Sequence, residues 1–186
     1  PLEDVIARKV EAREKFILPY LIDFACGSGH FLTEGIDELT PLIDEVDISK
    51  LSAQARSQLN AMRSDYLWAR EYVYGIDKDY RLAKTTKIAM FLNGDGDATV
   101  INGDGLDDFH ESNVYVDKLH TNRPTVENRV FDVVAANPPF SISGFKRYVP
   151  NGATNFRLYR FLGAKSTEIE CLFLERLGQL LKDGGV

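Results

Sequence analysis

The stretch Tyr20-Leu21-Ile22-Asp23-Phe24-Ala25-Cys26-Gly27-Ser28-Gly29 decides the fold class of this chain. Its first half is a short apolar run interrupted by one aspartate, which is typical of a strand buried on both faces of a parallel sheet. Its second half is a glycine turn, which lets the backbone approach a ligand and exposes the N–H groups of a following helix. We predict that this helix begins at His30 and that the turn forms part of a binding site.

Three further apolar runs predict three more strands, each separated from the next by helical or loop sequence. The runs are Glu71–Ile76, Ala98–Ile101 and Val130–Ala136. We expect Asp79 to cap the helix after the second strand, and Asn93-Gly94 to end it. Strands that alternate with helices predict an α/β fold with a doubly wound, mainly parallel sheet.

Four other segments complete the predicted organisation of the chain. A first helix runs from Leu2 to Pro19, residues 40–70 form a helical insertion, residues 107–129 are loop, and a last helix opens with the capping box Thr167-Glu168-Ile169-Glu170. We expect one domain over residues 1–186. Gly184-Gly185-Val186 predicts that the last helix ends and a new strand begins. We therefore expect a fragment that is truncated after the fourth strand and its following helix.

Composition indicates a globular protein and excludes several classes. Hydrophobic residues make up 44% of the 186 positions, and none of the apolar runs approaches the roughly 20 residues of a membrane-spanning helix. Two cysteines predict neither a disulfide framework nor a metal cluster. We expect a cytoplasmic protein with no metal and no membrane partner. The net charge of −6 argues mildly against a nucleic-acid partner, unless the basic residues gather in one place.

The unusual polar clusters of the sequence all follow predicted strands. They are the 26–29 turn, Asp77, Asp104 and Asn137. Ligands of open parallel sheets bind outside the carboxyl ends of the strands. We therefore predict that the four clusters meet at one site.

Asn137-Pro138-Pro139-Phe140 is the strongest motif, because a buried strand gains nothing from ending in this way. The prolines stiffen the backbone, so that Asn137 Oδ1 and the Pro138 carbonyl can accept two hydrogen bonds from one amino group. Phe140 offers a flat face for stacking an unsaturated ring. The glycine turn does not match a dinucleotide fingerprint, because Leu32 stands at the third glycine position and Asp77 lies far downstream.

Together with Tyr74-Gly75-Ile76-Asp77 and Ile101-Asn102-Gly103-Asp104-Gly105-Leu106, these motifs resemble those of the N6-adenine DNA methyltransferases. They look most like the modification subunit of type I restriction–modification systems. The resemblance covers roughly residues 20–186. Two positions depart from the usual Asp-Pro-Ala-Cys-Gly-Ser-Gly motif, because Phe24 replaces proline and His30 stands where glycine is common.

The resemblance implies a Rossmann-like fold that binds S-adenosylmethionine, and it implies a role for each matched residue. Asp23 and the loop Ala25, Cys26, Gly27, Ser28 and Gly29 would hold the methionine moiety. Asp77 would accept from the ribose hydroxyls, and Asp104, next to Gly105, from the adenine amine of the cofactor. Asn137, Pro138, Pro139 and Phe140 would bind the target base, and Asn137 would also adjoin the cofactor. Cys26 is expected to pack rather than to act as a nucleophile.

The segment 138–167 indicates the partner. It interleaves basic with aromatic residues and contains no aspartate or glutamate, which favours a loop that holds a DNA strand. The basic residues are Lys146, Arg147, Arg157, Arg160 and Lys165. Because an adenine inside a duplex cannot reach the pocket, the base must be flipped out of double-stranded DNA. The resemblance further implies separate specificity and restriction subunits.

Two other functions remain open at this point. Asn-Pro-Pro followed by an aromatic residue also serves methyltransferases that act on a protein glutamine amide or on a guanine amine in RNA. Alternatively, the chain could be a non-catalytic subunit that binds the cofactor or acts as a scaffold. The motif at Asn137 speaks against a scaffold, which needs no geometry for capturing a base.

Overall fold

A four-stranded, all-parallel sheet forms the centre of the protein. The computed structural model describes residues 1–64, 68–92, 98–109, 112–115, 118 and 130–186. The strands are β1 (Leu21–Asp23), β2 (Val73–Asp77), β3 (Thr99–Asn102) and β4 (Val133–Ala135), and their order is β3-β2-β1-β4. Every neighbouring pair is parallel. The predicted α/β class with a Rossmann-like sheet is confirmed.

The strand order reverses between β1 and β4. From β1 the chain proceeds outward through β2 to β3 and then returns to place β4 on the other side of β1. A crevice opens at such a reversal, outside the carboxyl ends of the two strands. The segments that begin at Phe24 and Ala136 therefore enter the same crevice.

Side chains alternate between the two faces of the sheet, and each face is covered. Leu21, Val73 and Val100 pack with the first core cluster, whereas Ile22, Tyr74 and Ile101 pack with the second. This alternation follows from the two-residue period of a strand. The first cluster contains the apolar faces of the helices before β3, and the second contains those of the last helix and its preceding loop.

Seven α-helices are described. They are α1 (Leu2–Glu11), α2 (His30–Glu45), α3 (Ala53–Ser64), α4 (Trp68–Tyr72), α5 (Tyr80–Leu92), α6 (Gly152–Asn155) and α7 (Glu170–Leu180). The cap predicted at Asp79 is confirmed, because its Oδ1 accepts the Arg81 N–H at 2.8 Å. None of the helices in the described ranges is long and apolar enough to span a membrane.

The first and last helices differ from their predicted bounds. α1 ends at Glu11 rather than near Pro19, because Arg13 adopts a left-handed conformation (φ 53°). There the Glu14 N–H donates to the Lys9 carbonyl at 3.0 Å, which closes the helix end. The capping box at Thr167 is also wrong. α7 begins at Glu170, and the Glu170 carboxylate accepts the Ser141 N–H at 3.2 Å instead of capping the helix.

The segment between α2 and β2 contains more helix than predicted. α2 continues past Leu39 to Glu45 with Pro41 inside it, because Leu39 and Ile43 continue its buried stripe. α3 lies within the predicted helical insertion, and its Ala55 and Leu59 are buried. Three predictions fall wholly or partly outside the described residues: the 40–70 insertion at residues 65–67, the helix end at Asn93-Gly94, and much of the 107–129 loop.

The residues after α7 run beside β4. The Val186 N–H donates to the Asp132 carbonyl at 2.9 Å, and the Val134 N–H donates to the Val186 carbonyl at 2.9 Å. Phe131 and Leu181 form a parallel bridge nearby. This pairing agrees with the predicted start of a new strand at Gly184-Gly185-Val186.

Candidate active site

A cavity of about 590 Å³ lies at the carboxyl ends of the strands. Of the residues singled out from the sequence, it brings together Ala25, Gly27, Asp77, Asp104, Gly105, Asn137 and Pro139. The other lining residues are Phe24, Lys78, Asp79, Leu82, Leu106, Ile142, Phe145, Tyr148, Val149, Ile169 and Phe173. Loops after all four strands therefore contribute to one site. Its wall combines carboxylates with apolar and aromatic side chains.

The glycine loop after β1 is fastened to the end of β2 and to α5. The Cys26 N–H donates to the Ile76 carbonyl at 2.9 Å, and the Gly27 N–H donates to Asp77 Oδ2 at 2.8 Å. On the other side, the buried Thr86 hydroxyl donates to the Gly27 carbonyl at 2.8 Å. These three bonds fix the backbone that faces the cavity before a ligand arrives.

Gly29 packs directly against Thr86. Its φ is +84°, which side-chain-bearing residues rarely adopt, and a Cβ there would lie 2.4 Å from Thr86 Cγ2. Thr86 was not singled out from the sequence, since a threonine on an amphipathic helix gives no signal of contact with a loop 59 residues away.

Two carboxylates line the cavity at the ends of β2 and β3. Asp77 accepts the Gly27 N–H through Oδ2 and the Asp79 N–H through Oδ1, each at 2.8 Å. Asp104 Oδ2 accepts from Lys78 Nζ at 2.7 Å, and its Oδ1 accepts the Leu106 N–H at 3.0 Å. An ionised carboxylate has about four acceptor positions, so each group retains capacity for a ligand hydroxyl or amine.

Gly105 allows the loop after β3 to lie on the segment after β1. A Cβ at this position would approach the Phe24 carbonyl oxygen to 2.1 Å, which no neighbouring backbone could accommodate without moving. Phe24 itself is buried and stacks on Phe173, with ring centroids 5.6 Å apart. The departure from proline at this position therefore places an aromatic ring in the cavity wall.

Asp23 and Cys26 lie beneath the loop rather than on the cavity wall. Asp23 is 1% exposed and accepts the Ala25 N–H at 3.0 Å. Burial raises the pKa of its carboxyl to about 6. Burial, with the nearby charges of Asp23 and Asp77, also raises the pKa of the Cys26 thiol to about 12, so it stays protonated at neutral pH. Cys26 packs in the core, as expected of a non-nucleophilic residue.

The residues of the Asn-Pro-Pro-Phe segment face two different sides. Asn137 and Pro139 line the cavity, whereas Pro138 lines an adjoining apolar groove of about 390 Å³. Alternation of this kind is expected of extended backbone. Phe140 is 68% exposed and does not line the cavity. Ser28 is also exposed and, like buried Gly29, is absent from the wall.

The basic and aromatic residues after Phe140 have two different roles. Lys146 is fixed inside the loop, because its Nζ donates to the Leu162 carbonyl at 2.5 Å and lies 4.6 Å from the Tyr159 ring centroid. Arg147 and Arg160 are exposed, and each guanidinium lies 4.7 Å from the ring centroid of the exposed aromatic residue that follows it. Tyr148 reaches the cavity wall, a position that no sequence pattern indicates.

Comparison with known proteins identifies the family of the chain. The N-6 DNA methylase family matches residues 2–186, so the chain belongs to that family. A curated relative is the type II restriction enzyme and methyltransferase RM.Eco57I of Escherichia coli, which is 23% identical over 188 residues. The match covers 88% of this chain and 19% of that protein. The chain therefore corresponds to about a fifth of the length of this relative, and the N6-adenine DNA methyltransferase class expected from the motifs is confirmed.

Proposed function

We propose that this chain transfers a methyl group from S-adenosylmethionine to the N6 amine of adenine in DNA, as part of a restriction–modification system. The observation that carries the proposal is the shared cavity, where Asn137 faces the same space as Gly27, Asp77 and Asp104. Family membership supports DNA methylation in general. The adenine acceptor and the cofactor are proposed from the chemistry of the residues at the cavity.

The residues of the cavity fit the cofactor. A cationic nucleoside needs an anion near its amino acid portion, acceptors for its ribose and base, and apolar surface for its rings. Asp77 and Asp104 offer acceptors on the cavity wall, and Leu106 and Phe173 offer the apolar surface. The carboxylate of Asp23 lies buried beneath the glycine loop, from where its charge would act on the amino acid portion at a distance. The absence of a side chain at Gly105 lets the loop after β3 lie against the Phe24 carbonyl in this wall. When bound, the cofactor supplies a methyl group activated by a sulfonium.

The contribution of the protein is mainly positioning. Asn137 Oδ1 and the Pro138 carbonyl would each accept one N–H of the target amine, which orients the nitrogen lone pair toward the cofactor side of the cavity. Phe140 is exposed, so its ring is available to stack on an extruded base. Because positioning and exclusion of water can supply most of the rate, no covalent enzyme intermediate is needed.

Two likenesses of the chain point to different kinds of restriction–modification system. The motifs resemble the modification subunit of type I systems, which would place target recognition in a separate specificity subunit. The relative from Escherichia coli is named as a type II restriction enzyme and methyltransferase in one protein. We propose the type I arrangement on the motifs, and it predicts that methylation at specific sites requires a second subunit.

Methyl transfer from labelled S-adenosylmethionine to unmethylated bacterial DNA tests the proposal, followed by nucleoside analysis of the product. We expect N6-methyladenine as the labelled nucleoside. Label in protein glutamine or in RNA guanine instead would move the assignment to one of the other planar-nitrogen substrates. A full-length protein that binds cofactor and DNA and transfers no methyl group would favour a scaffold.

A further inference from the structure

Two adjacent residues of α7 hold the two loops that flank the cavity. Glu175 contacts the basic segment 157–161, and Arg176 contacts the acidic segment 104–108 that follows β3. Neither residue lines the cavity. Both would count as ordinary surface charges of an amphipathic helix if they were judged from the sequence.

Arg176 is a buried cation in an aromatic sandwich. It is 5% exposed, and its guanidinium carbon lies 4.7 Å from the Phe109 ring centroid and 4.9 Å from that of Phe156. One of its terminal nitrogens donates to the Asp107 carbonyl at 2.7 Å and to the Leu106 carbonyl at 3.3 Å. Burial lowers the pKa of Arg176 to about 10, so it remains charged at neutral pH.

The contacts of Arg176 lead to the cavity wall through the segment after β3. Leu106 lines the cavity next to Asp104. Phe109 packs on Tyr115, with ring centroids 4.4 Å apart, and the Tyr115 hydroxyl donates to the Asp104 carbonyl at 2.6 Å. The position of the Asp104 carboxylate therefore depends on a cluster whose centre is the Arg176 guanidinium.

Glu175 and its neighbour on the helix, Gln179, fix the other loop. The two carboxylate oxygens of Glu175 accept the N–H groups of Arg157 and Leu158, at 2.7 and 2.9 Å. Gln179 Nε2 donates to the Asn155 carbonyl at 2.7 Å. These bonds orient the backbone that carries the exposed Arg160 and Phe161.

We propose that Arg176 and Glu175 are positioning residues for two different ligands, Arg176 for the nucleoside of the cofactor and Glu175 for the polynucleotide. This inference rests on the proposed function of the cavity and of the basic loop. Arginine suits the first role, because its planar guanidinium can stack between two aromatic rings while it donates hydrogen bonds to two carbonyls. A carboxylate suits the second, because two oxygens can accept from two successive N–H groups.

The test uses the full-length protein and the variants Arg176→Met, Arg176→Lys and Glu175→Gln. Exposed Arg70 and Glu168, changed to Met and Gln, are the matched controls. Cofactor affinity is measured by titration calorimetry with S-adenosylmethionine. The KM for unmethylated bacterial DNA and the kcat come from the labelled-methyl assay, and thermal unfolding checks that each variant is folded.

We expect Arg176→Met to weaken cofactor binding by about tenfold, equivalent to about 1.4 kcal/mol, while the KM for DNA changes less than about twofold. Arg176→Lys keeps the positive charge without the planar guanidinium, so it should recover only part of the lost cofactor affinity. Glu175→Gln should raise the KM for DNA by about fivefold and leave cofactor affinity within about twofold, because the amide offers one acceptor oxygen in place of two.

Parallel loss of both affinities in each variant, or loss of thermal stability without either change, would overturn the assignment of separate positioning roles. Variants that bind both ligands as the parent does would also overturn it. These outcomes leave the proposed function intact. A parent protein that neither binds the cofactor nor methylates DNA would remove the proposed function, and this inference with it.

Discussion

The Gly27 N–H donates to Asp77 Oδ2 at 2.8 Å, across 50 residues of sequence. This bond joins the turn after β1 to the end of β2, and the Asp79 N–H donates to the other oxygen of the same carboxylate at 2.8 Å. One side chain therefore organises the cavity wall before it contacts any ligand.

Replacing Asp77 by alanine should reduce both stability and cofactor affinity. Two N–H groups lose an ionised acceptor, which costs about 1–3 kcal/mol of unfolding free energy. Cofactor affinity should fall by about tenfold or more, because the loop and the ribose acceptor are lost together. Urea unfolding and titration calorimetry measure the two effects. The same change at exposed Asp37 should alter neither quantity.

Replacing Asn137 by alanine should abolish methylation and leave cofactor affinity within a few-fold. The change removes one of the two proposed acceptors for the target amine, and loss of one such polar contact lowers kcat by roughly a hundredfold or more. Single-turnover transfer of labelled methyl measures the effect, and Asn113→Ala at an exposed position is the control. Near-normal turnover in the Asn137 variant would refute the role proposed for this residue.

Replacing Asp23 by asparagine should stabilise the protein at neutral pH and weaken cofactor binding. Because burial raises the pKa of Asp23 from 3.8 to about 6, the folded state binds more protons than the unfolded state between these values. Its contribution to stability is therefore greatest below about pH 4 and is lost as the pH rises through 6. The asparagine variant avoids this loss, which is on the order of 1–3 kcal/mol.

Urea unfolding of the parent and of Asp23→Asn at about pH 4 and about pH 7.5 tests this direction, because these pH values lie on either side of the raised pKa of Asp23. The variant should gain on the parent as the pH rises. Cofactor affinity of the parent should also decline below about pH 6, because a protonated Asp23 no longer attracts a cationic ligand. A stability difference that is the same at both pH values would contradict the prediction.

Replacing Gly29 by alanine should cost about 2–4 kcal/mol, because it combines a positive φ with overlap on Thr86. Thr86→Ser removes Cγ2 and keeps the hydroxyl that bonds to the Gly27 carbonyl, so the double variant should recover part of the loss. A double-mutant cycle from urea unfolding measures this coupling. Gly178→Ala in α7 meets no atom within 4 Å and should instead stabilise by about 0.5–1 kcal/mol.

Replacing Arg147 and Arg160 by alanine should weaken DNA binding and reduce its dependence on salt. Each lost phosphate contact lowers the slope of log affinity against log salt by about 0.9. Fluorescence anisotropy with a labelled duplex at several salt concentrations measures the slope. Lys146→Met should lower stability with little change in slope, because that lysine is bonded to the Leu162 carbonyl. An unchanged slope in the double arginine variant would exclude this loop from the DNA interface.

The local motifs allowed the fold class and the position of the cavity to be predicted. A glycine turn after a buried strand and an Asn-Pro-Pro-Phe segment after another place their residues at strand ends, and parallel strands bring those ends to one edge. Helix bounds were less predictable. α1 stops at Glu11 because Arg13 adopts a left-handed backbone conformation, and no pattern of side chains in the sequence predicts that conformation.

The sequence by itself determined the chemistry that each strand end can offer, because residue type and the period of apolar residues are local properties. Only the tertiary structure decided which distant groups support those ends. Thr86 holds Gly27, and Arg176 enters an aromatic sandwich with Phe109 and Phe156, because helices from both sides of the sheet pack against its loops. Such contacts depend on the packing of whole elements, and a single stretch of sequence does not contain them.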